Sequence, residues 1–223
     1  MKNELKNDKI KNIKGKFPHI INKNNKVITI DKYDERYNKK ITFTDVIYVF
    51  IICAMLGWLV ETIYVFLVCG KIVSRGMTYG PYCSIYGLGG LILYLFFHNV
   101  KPKKENIPFT FISTAFTMGA FELVSGLFLK YVFGIEMWNY DTHFLSICHY
   151  TTVPIMIGWG VLATIYVFYL QPLILKVISI LPKNITKRLA LIIMAIYILD
   201  YSFSIFNIYN NPEILLKMVN PNL

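Results

Sequence analysis

Three acidic side chains in this sequence lie inside long apolar stretches. Glu61 sits in LGWLVETIY, Glu122 in MGAFELVSG and Asp200 in YILDYSF. If those stretches lie in hydrocarbon, each charge costs a few kcal/mol or more on insertion, so it must face a protein interior or a wet cavity. Helical spacing agrees for the first two. Cys53, Gly57, Glu61 and Tyr64 fall on one face, and Ala115, Gly119, Glu122 and Gly126 on another. Small residues let helices approach closely, which puts both glutamates on packing faces. Two carboxylates brought together would make at least one of them hold a proton. Arg75 is the obvious counter-charge, supplied by the outer loop. Two roles are open for Glu61 and Glu122: interhelical polar contacts, or part of a ligand or ion pathway. Asp200 reads as a polar contact.

The elements that position these residues follow from composition. Hydrophobic residues make up 55% of the 223 and charged residues 16%, and mean hydropathy is +0.48. Soluble domains are seldom built this way. Residues 1–41 carry 12 of the 23 basic residues and 5 of the 13 acidic ones. The rest divides into five apolar runs, roughly Phe43–Val68, Cys83–Val100, Pro108–Phe133, Val153–Leu170 and Leu189–Tyr209. About 20 residues cross a bilayer as a helix, and backbone groups in hydrocarbon must pair within their own segment. The expected fold is all-α: a polytopic membrane bundle of about five transmembrane helices. It divides into a basic, mostly disordered cytoplasmic tail (1–42), the helical domain (43–210) and a short C-terminal tail (211–223).

Charge asymmetry sets an orientation. With the N-terminus inside, 19 of the 23 basic residues fall on the inner side and only Lys71, Arg75, Lys130 and Lys217 outside, as the positive-inside rule requires. The expected location is a bacterial inner membrane with the C-terminus outside. No nucleic-acid fold accompanies the basic tail. His143, Cys148 and His149 share one loop, but no metal-ligand spacing is present, so no metal and no cofactor are expected. No catalytic residue is assigned.

The segment RGMTYGPYCSIYG (75–87) joins the first two apolar runs. Gly70, Gly76, Gly80 and Pro81 interrupt the helix, yet Met77, Tyr79, Tyr82 and Tyr86 call for partial burial. Non-helical backbone is tolerated at membrane depth where protein or a water-filled cavity surrounds it. Residues 74–82 are therefore expected to fold back into the outer leaflet as a glycine-rich, partly re-entrant loop capping the bundle. The alternative is a tyrosine-belted turn at the interface. The second outer loop, EMWNYDTHFLSICHY (136–150), could lie beside it as a short lid. The candidate substrate-binding residues are Glu61, Arg75, Tyr79, Tyr82, Tyr86, Glu122, Trp138 and Asp141. Gly57, Trp58, Gly76, Gly80, Pro81 and Gly87 form the structural motif around them.

Three motifs, GWLVETIY, GK-x-V-x-RG-x-x-YGPYC-x-IYG-x-G and FG-x-x-x-WNYD, together resemble the bacterial membrane proteins labelled putative type IV ABC-transporter permeases. The resemblance spans about residues 43–171. The chain departs from the pattern at Ser84, where the family tends to have Pro, and at Asn139, where it tends to have Asp. The basic tail looks like an addition. The resemblance implies a permease-like transport component. The chain has no G-x-x-x-x-G-K-[ST] phosphate loop, so a separate ABC ATPase subunit would have to dock on the inside, at Lys101–Asn106 or Gln171–Arg188. Besides the lipid bilayer, self-assembly into a homo-oligomer is the other expected partnership. The alternative functional class is a membrane-embedded enzyme or scaffold acting on lipid or cell-envelope precursors, with Glu61 and Glu122 as acid and base and Arg75 on a phosphate.

Overall fold

A computed structural model describes residues 40–73, 75–100, 103–134, 136–180 and 182–211. The expectations for the two tails fall almost entirely outside these residues. Among the described residues the fold is all-α: five helices and one two-residue hairpin. Helix α1 is Phe43–Cys69, α2 is Ser84–Phe97 and α3 is Ile107–Phe133. Strands β1 (Ser146–Ile147) and β2 (Thr151–Thr152) pair antiparallel. Helix α4 is Val153–Ile180 and α5 is Lys183–Asn210. Four helices, α1, α3, α4 and α5, are long and apolar enough to cross a membrane, and α2 is a shorter apolar helix.

Local chemistry sets the helix ends. Thr42 and Asp45 form a reciprocal capping box at the start of α1, satisfying two otherwise orphan donors. Gly70 and Gly134 end α1 and α3 in the left-handed conformation, which glycine adopts without a Cβ penalty. Thr152 caps α4 by accepting from the Ile155 N–H.

Two boundaries differ from the sequence expectation. The fourth helix runs on past Leu170 to Ile180, and the fifth begins at Lys183 rather than near Leu189. Gln171 and Pro172 look like an exit from the membrane, but Gln171 is only 1% exposed. A π turn at Tyr166–Leu170 precedes them, and the Gln171 N–H bonds back to the Tyr166 carbonyl. That wider turn leaves room for the Pro172 ring, which in a regular helix would meet the carbonyl four residues back.

The bundle is organised as two close helical hairpins. In the first, α1 lies against α2, with Gly57 under the Tyr86 side chain, Gly87 against Phe50 and Gly90 against Cys53. In the second, α3 lies against α4, with Gly119 against Met156 and Gly160 against Ala115 and Phe111. Helices without Cβ atoms at the contact approach closely and gain dispersion contacts, the main driving force where lipid is as apolar as the side chains. Tyr166 of α4 ties the hairpins together by donating to the Gly90 carbonyl at 3.0 Å. The solid core lies toward the N-terminal half of α1, around Ile47, Val49, Phe50, Leu93, Val167 and Tyr197.

The segment between α1 and α2 descends deep into the bundle. The Cys83 N–H donates to the Ala54 carbonyl at 2.9 Å. Ala54 lies about 22 Å below the last residue of α1 at ~1.5 Å rise per residue. Helix α2 therefore starts at mid-depth, which is why its 14 residues suffice although they span only about 21 Å. Tyr64, expected on the packing face of α1, is exposed, because α2 begins below it and leaves the last turns of α1 uncovered.

Candidate functional site

The descending segment is held by polar groups from α1 and α5. Thr78 Oγ1 donates to the carbonyls of Tyr82 (2.8 Å) and Gly80 (3.1 Å). Asp200 accepts from the Gly80 N–H at 3.0 Å, and Ser204 Oγ accepts from the Tyr79 N–H at 3.1 Å. Asp200 thus satisfies non-helical backbone at membrane depth, where an unpaired N–H would cost several kcal/mol in hydrocarbon. Tyr79 is exposed, contacts Phe203 and meets Asn207 through its hydroxyl. The Tyr82 ring packs on Tyr197. Pro81 is exposed, and Trp58 is half-buried, with its carbonyl accepting from Thr62.

Arg75, at the top of this segment, reaches Glu61 with two donors, Nε at 3.3 Å and Nη2 at 3.1 Å. The Tyr86 hydroxyl donates to the other Glu61 oxygen at 2.7 Å. Glu61 is therefore held from α1's own neighbour α2 and from the loop at once. Such a charge-assisted fork is stronger than neutral hydrogen bonds and fixes geometry.

Glu122 is buried on the α3 face expected from its spacing and belongs to the other hairpin. It accepts from Thr151 Oγ1 at 2.7 Å and from the Tyr140 hydroxyl at 3.4 Å. Both donors come from the 134–152 segment. That segment is folded tightly: Leu145, Cys148 and His149 have positive φ. The Tyr140 N–H bonds the His149 carbonyl at 2.7 Å, and Trp138 Nε1 donates to the Tyr150 carbonyl at 2.9 Å. Tyr150 packs against Gly126 of α3. Burial, together with the nearby Glu122 charge, pushes the Tyr140 hydroxyl up to about 12. Asp141, by contrast, is exposed and pairs with His149 on the surface of the loop.

Glu61 and Glu122 face one cavity of about 540 Å³ between the hairpins, within the usual range of small-molecule sites. Arg75, Tyr86, Trp138 and Tyr140 line it too, as do Gly57 and Gly76 of the motif. Of the eight sequence candidates, the fold brings five to the cavity, Glu61, Arg75, Tyr86, Glu122 and Trp138, and leaves Tyr79, Tyr82 and Asp141 outside its lining, where they hold the loops. Tyr140, from the WNYD motif, lines the cavity as well but was absent from the candidates. Trp159 and Thr151 were also absent. Trp159 stacks edge-on against Tyr86 and lines the cavity. Its sequence signal was weak: one indole in an apolar helix, flanked by Gly158 and Gly160. Among the described residues no group of three His, Cys, Asp or Glu side chains could hold a metal ion.

No curated protein and no solved structure matches the chain. One family model does, over residues 48–205, from the second turn of α1 through the re-entrant segment, both cavity glutamates and the Asp200 anchor. The match covers most of the chain and all of the site just described, so the protein is a membrane protein belonging to the family described as "Putative ABC-transporter type IV".

Proposed function

We propose that the chain is the membrane-embedded, permease-like subunit of a transporter powered by a separate ATPase, with the cavity between the two hairpins as its substrate site. The observation that carries this reading is the convergence of Glu61 and Glu122 on one cavity from different hairpins. Polar contacts made only for stability would pair across one helix interface. Here each carboxylate is oriented by a loop that caps the cavity, the arrangement expected of an intramembrane acid on a substrate path. Family membership favours the same class. The end of the bundle opposite these loops exposes Lys176, Lys187 and Arg188 and is the docking surface for the ATPase. In this reading the tail and that end face the cytoplasm of an inner-membrane protein, and the two capping loops face outward.

The test is purification of the full chain from native membranes in mild detergent. A stoichiometric ATPase carrying a phosphate loop is the expected companion. Recovery of the chain alone, or with further copies of itself only, would sink the permease reading. The enzyme alternative needs Arg75 on a substrate phosphate, but two of its donors are spent on Glu61, which favours the permease reading.

Orientation has its own test. Cys148 is exposed in the second capping loop, whereas Cys53 and Cys83 are buried. A membrane-impermeant maleimide should label Cys148 in intact cells, with a Cys69→Ser background removing the half-buried thiol at the same end. Labelling only after permeabilisation would reverse the assignment.

A further inference from the structure

We infer that the cavity takes a small organic ammonium ion, bound by Glu122 among the aromatic side chains that surround it. This rests on the reading of the cavity as the substrate site and names the chemistry of what fills it.

The acids at the capped end of the bundle divide in a telling way. Glu61 is paired with Arg75, Glu136 with Lys130 at 2.7 Å, and Asp141 with His149. Glu122 is only 7% exposed. Yet among the described residues no Lys, Arg or His side chain lies within ion-pairing distance of it. Its partners are neutral groups, the hydroxyls of Thr151 and Tyr140 and the indole of Trp159. A carboxylate held by donors but not neutralised is a place where a cation gains most, because removal of water strengthens the attraction.

The walls select the kind of cation. Trp138, Trp159, Tyr86 and Tyr140 line the same cavity as Glu122. Ring faces attract cations and do so most strongly for poorly hydrated ones, as in aromatic cages for alkylated ammonium groups. Much of the remaining lining is apolar, including Leu56, Val60, Met118 and Phe121. An inorganic divalent ion would need six or so oxygen ligands, and the described residues offer no cluster of even three His, Cys, Asp or Glu. A neutral apolar guest would use the aromatic walls but make no use of the Glu122 carboxyl. An anion would meet it directly, with Arg75 already engaged by Glu61. The guest that satisfies all of these is a compact ammonium ion carrying alkyl groups.

The test uses the full chain reconstituted in lipid nanodiscs, with tryptophan fluorescence and calorimetry reading binding. The probes are choline, tetramethylammonium, acetate and dimethylbutanol, the neutral carbon analogue of choline. Choline should bind at least about 10-fold more tightly than dimethylbutanol, and acetate should not bind, a margin that one matched charge readily supplies. Glu122→Gln should lose that margin, while Glu122→Asp should keep part of it, which separates loss of charge from loss of fold. Dimethylbutanol binding as well as choline would overturn the inference and leave the cavity standing as a site for neutral solutes. If none of the probes binds, the ammonium assignment falls, whereas the permease reading stands or falls on the ATPase that co-purifies.

Discussion

Gly76→Ala is expected to detach the re-entrant segment and collapse the cavity, lowering stability by about 3 kcal/mol. Two costs act together. Gly76 has φ of 82°, a left-handed conformation that costs an L-residue roughly 1–2 kcal/mol. A Cβ there would also meet the Tyr82 carbonyl oxygen and crowd the backbone of Tyr82 and Cys83, and backbone cannot step aside as a flexible side chain can. The Tyr82 carbonyl accepts from Thr78 Oγ1, and the Cys83 N–H donates to the Ala54 carbonyl. The clash therefore falls on the two contacts that hold the segment at depth. The contrast variant is Gly70→Ala. Gly70 has φ of 67° but open space around its missing side chain, so it carries only the conformational cost. Thermal unfolding in detergent, followed by size-exclusion chromatography, should place Gly76→Ala well below Gly70→Ala. Equal midpoints would mean that the descent of residues 75–83 is not held as described.

The second large effect concerns the Arg75–Glu61 pair. Arg75→Leu should destabilise the protein by about 2 kcal/mol, below the roughly 3–5 kcal/mol typical of breaking a fully buried pair. The discount reflects side chains that are each 25% exposed. The loss comes mainly from stranding the Glu61 carboxylate, which would retain only the Tyr86 hydroxyl among the partners described. Adding Glu61→Gln to Arg75→Leu should then recover more than half of the loss, because the stranded charge is gone while the Tyr86 acceptor remains. A double-mutant cycle on thermal midpoints measures this coupling. Strict additivity would show that the two groups do not depend on each other. The cycle also bears on the cavity. With Arg75 removed, Glu61 becomes a second unmatched carboxylate beside Glu122, and choline binding should tighten in the single variant if the fold survives.

The sequence was most informative where hydrocarbon leaves the chain few options. Apolar runs of about 20 residues have to be helices in a bilayer, so α1, α3 and the cores of α4 and α5 were legible, as was the all-α class. The small-residue spacing around Glu122 placed it on a packing face, and the glycines of 70–80 marked broken backbone that had to be sheltered. The end of α4 was not legible. Gln171–Pro172 carries the composition of a helix exit, and only the fold shows that a π turn and a buried site for Gln171 carry the helix through. Helices this uniformly apolar also have no amphipathic stripe to say which faces meet. Which tyrosines line the cavity depended on contacts far apart in sequence. Tyr86 turns inward because α2 begins at the depth of Ala54, whereas Tyr79 and Tyr82 are drawn to α5 by Asn207 and Tyr197. Residue types and spacing thus determined that buried acids existed and that a loop must shelter near them. Only the packing of two hairpins against each other decided that Glu61 would be neutralised by Arg75 and Glu122 left facing an aromatic cavity, because pairing of charges depends on distances that no local pattern encodes.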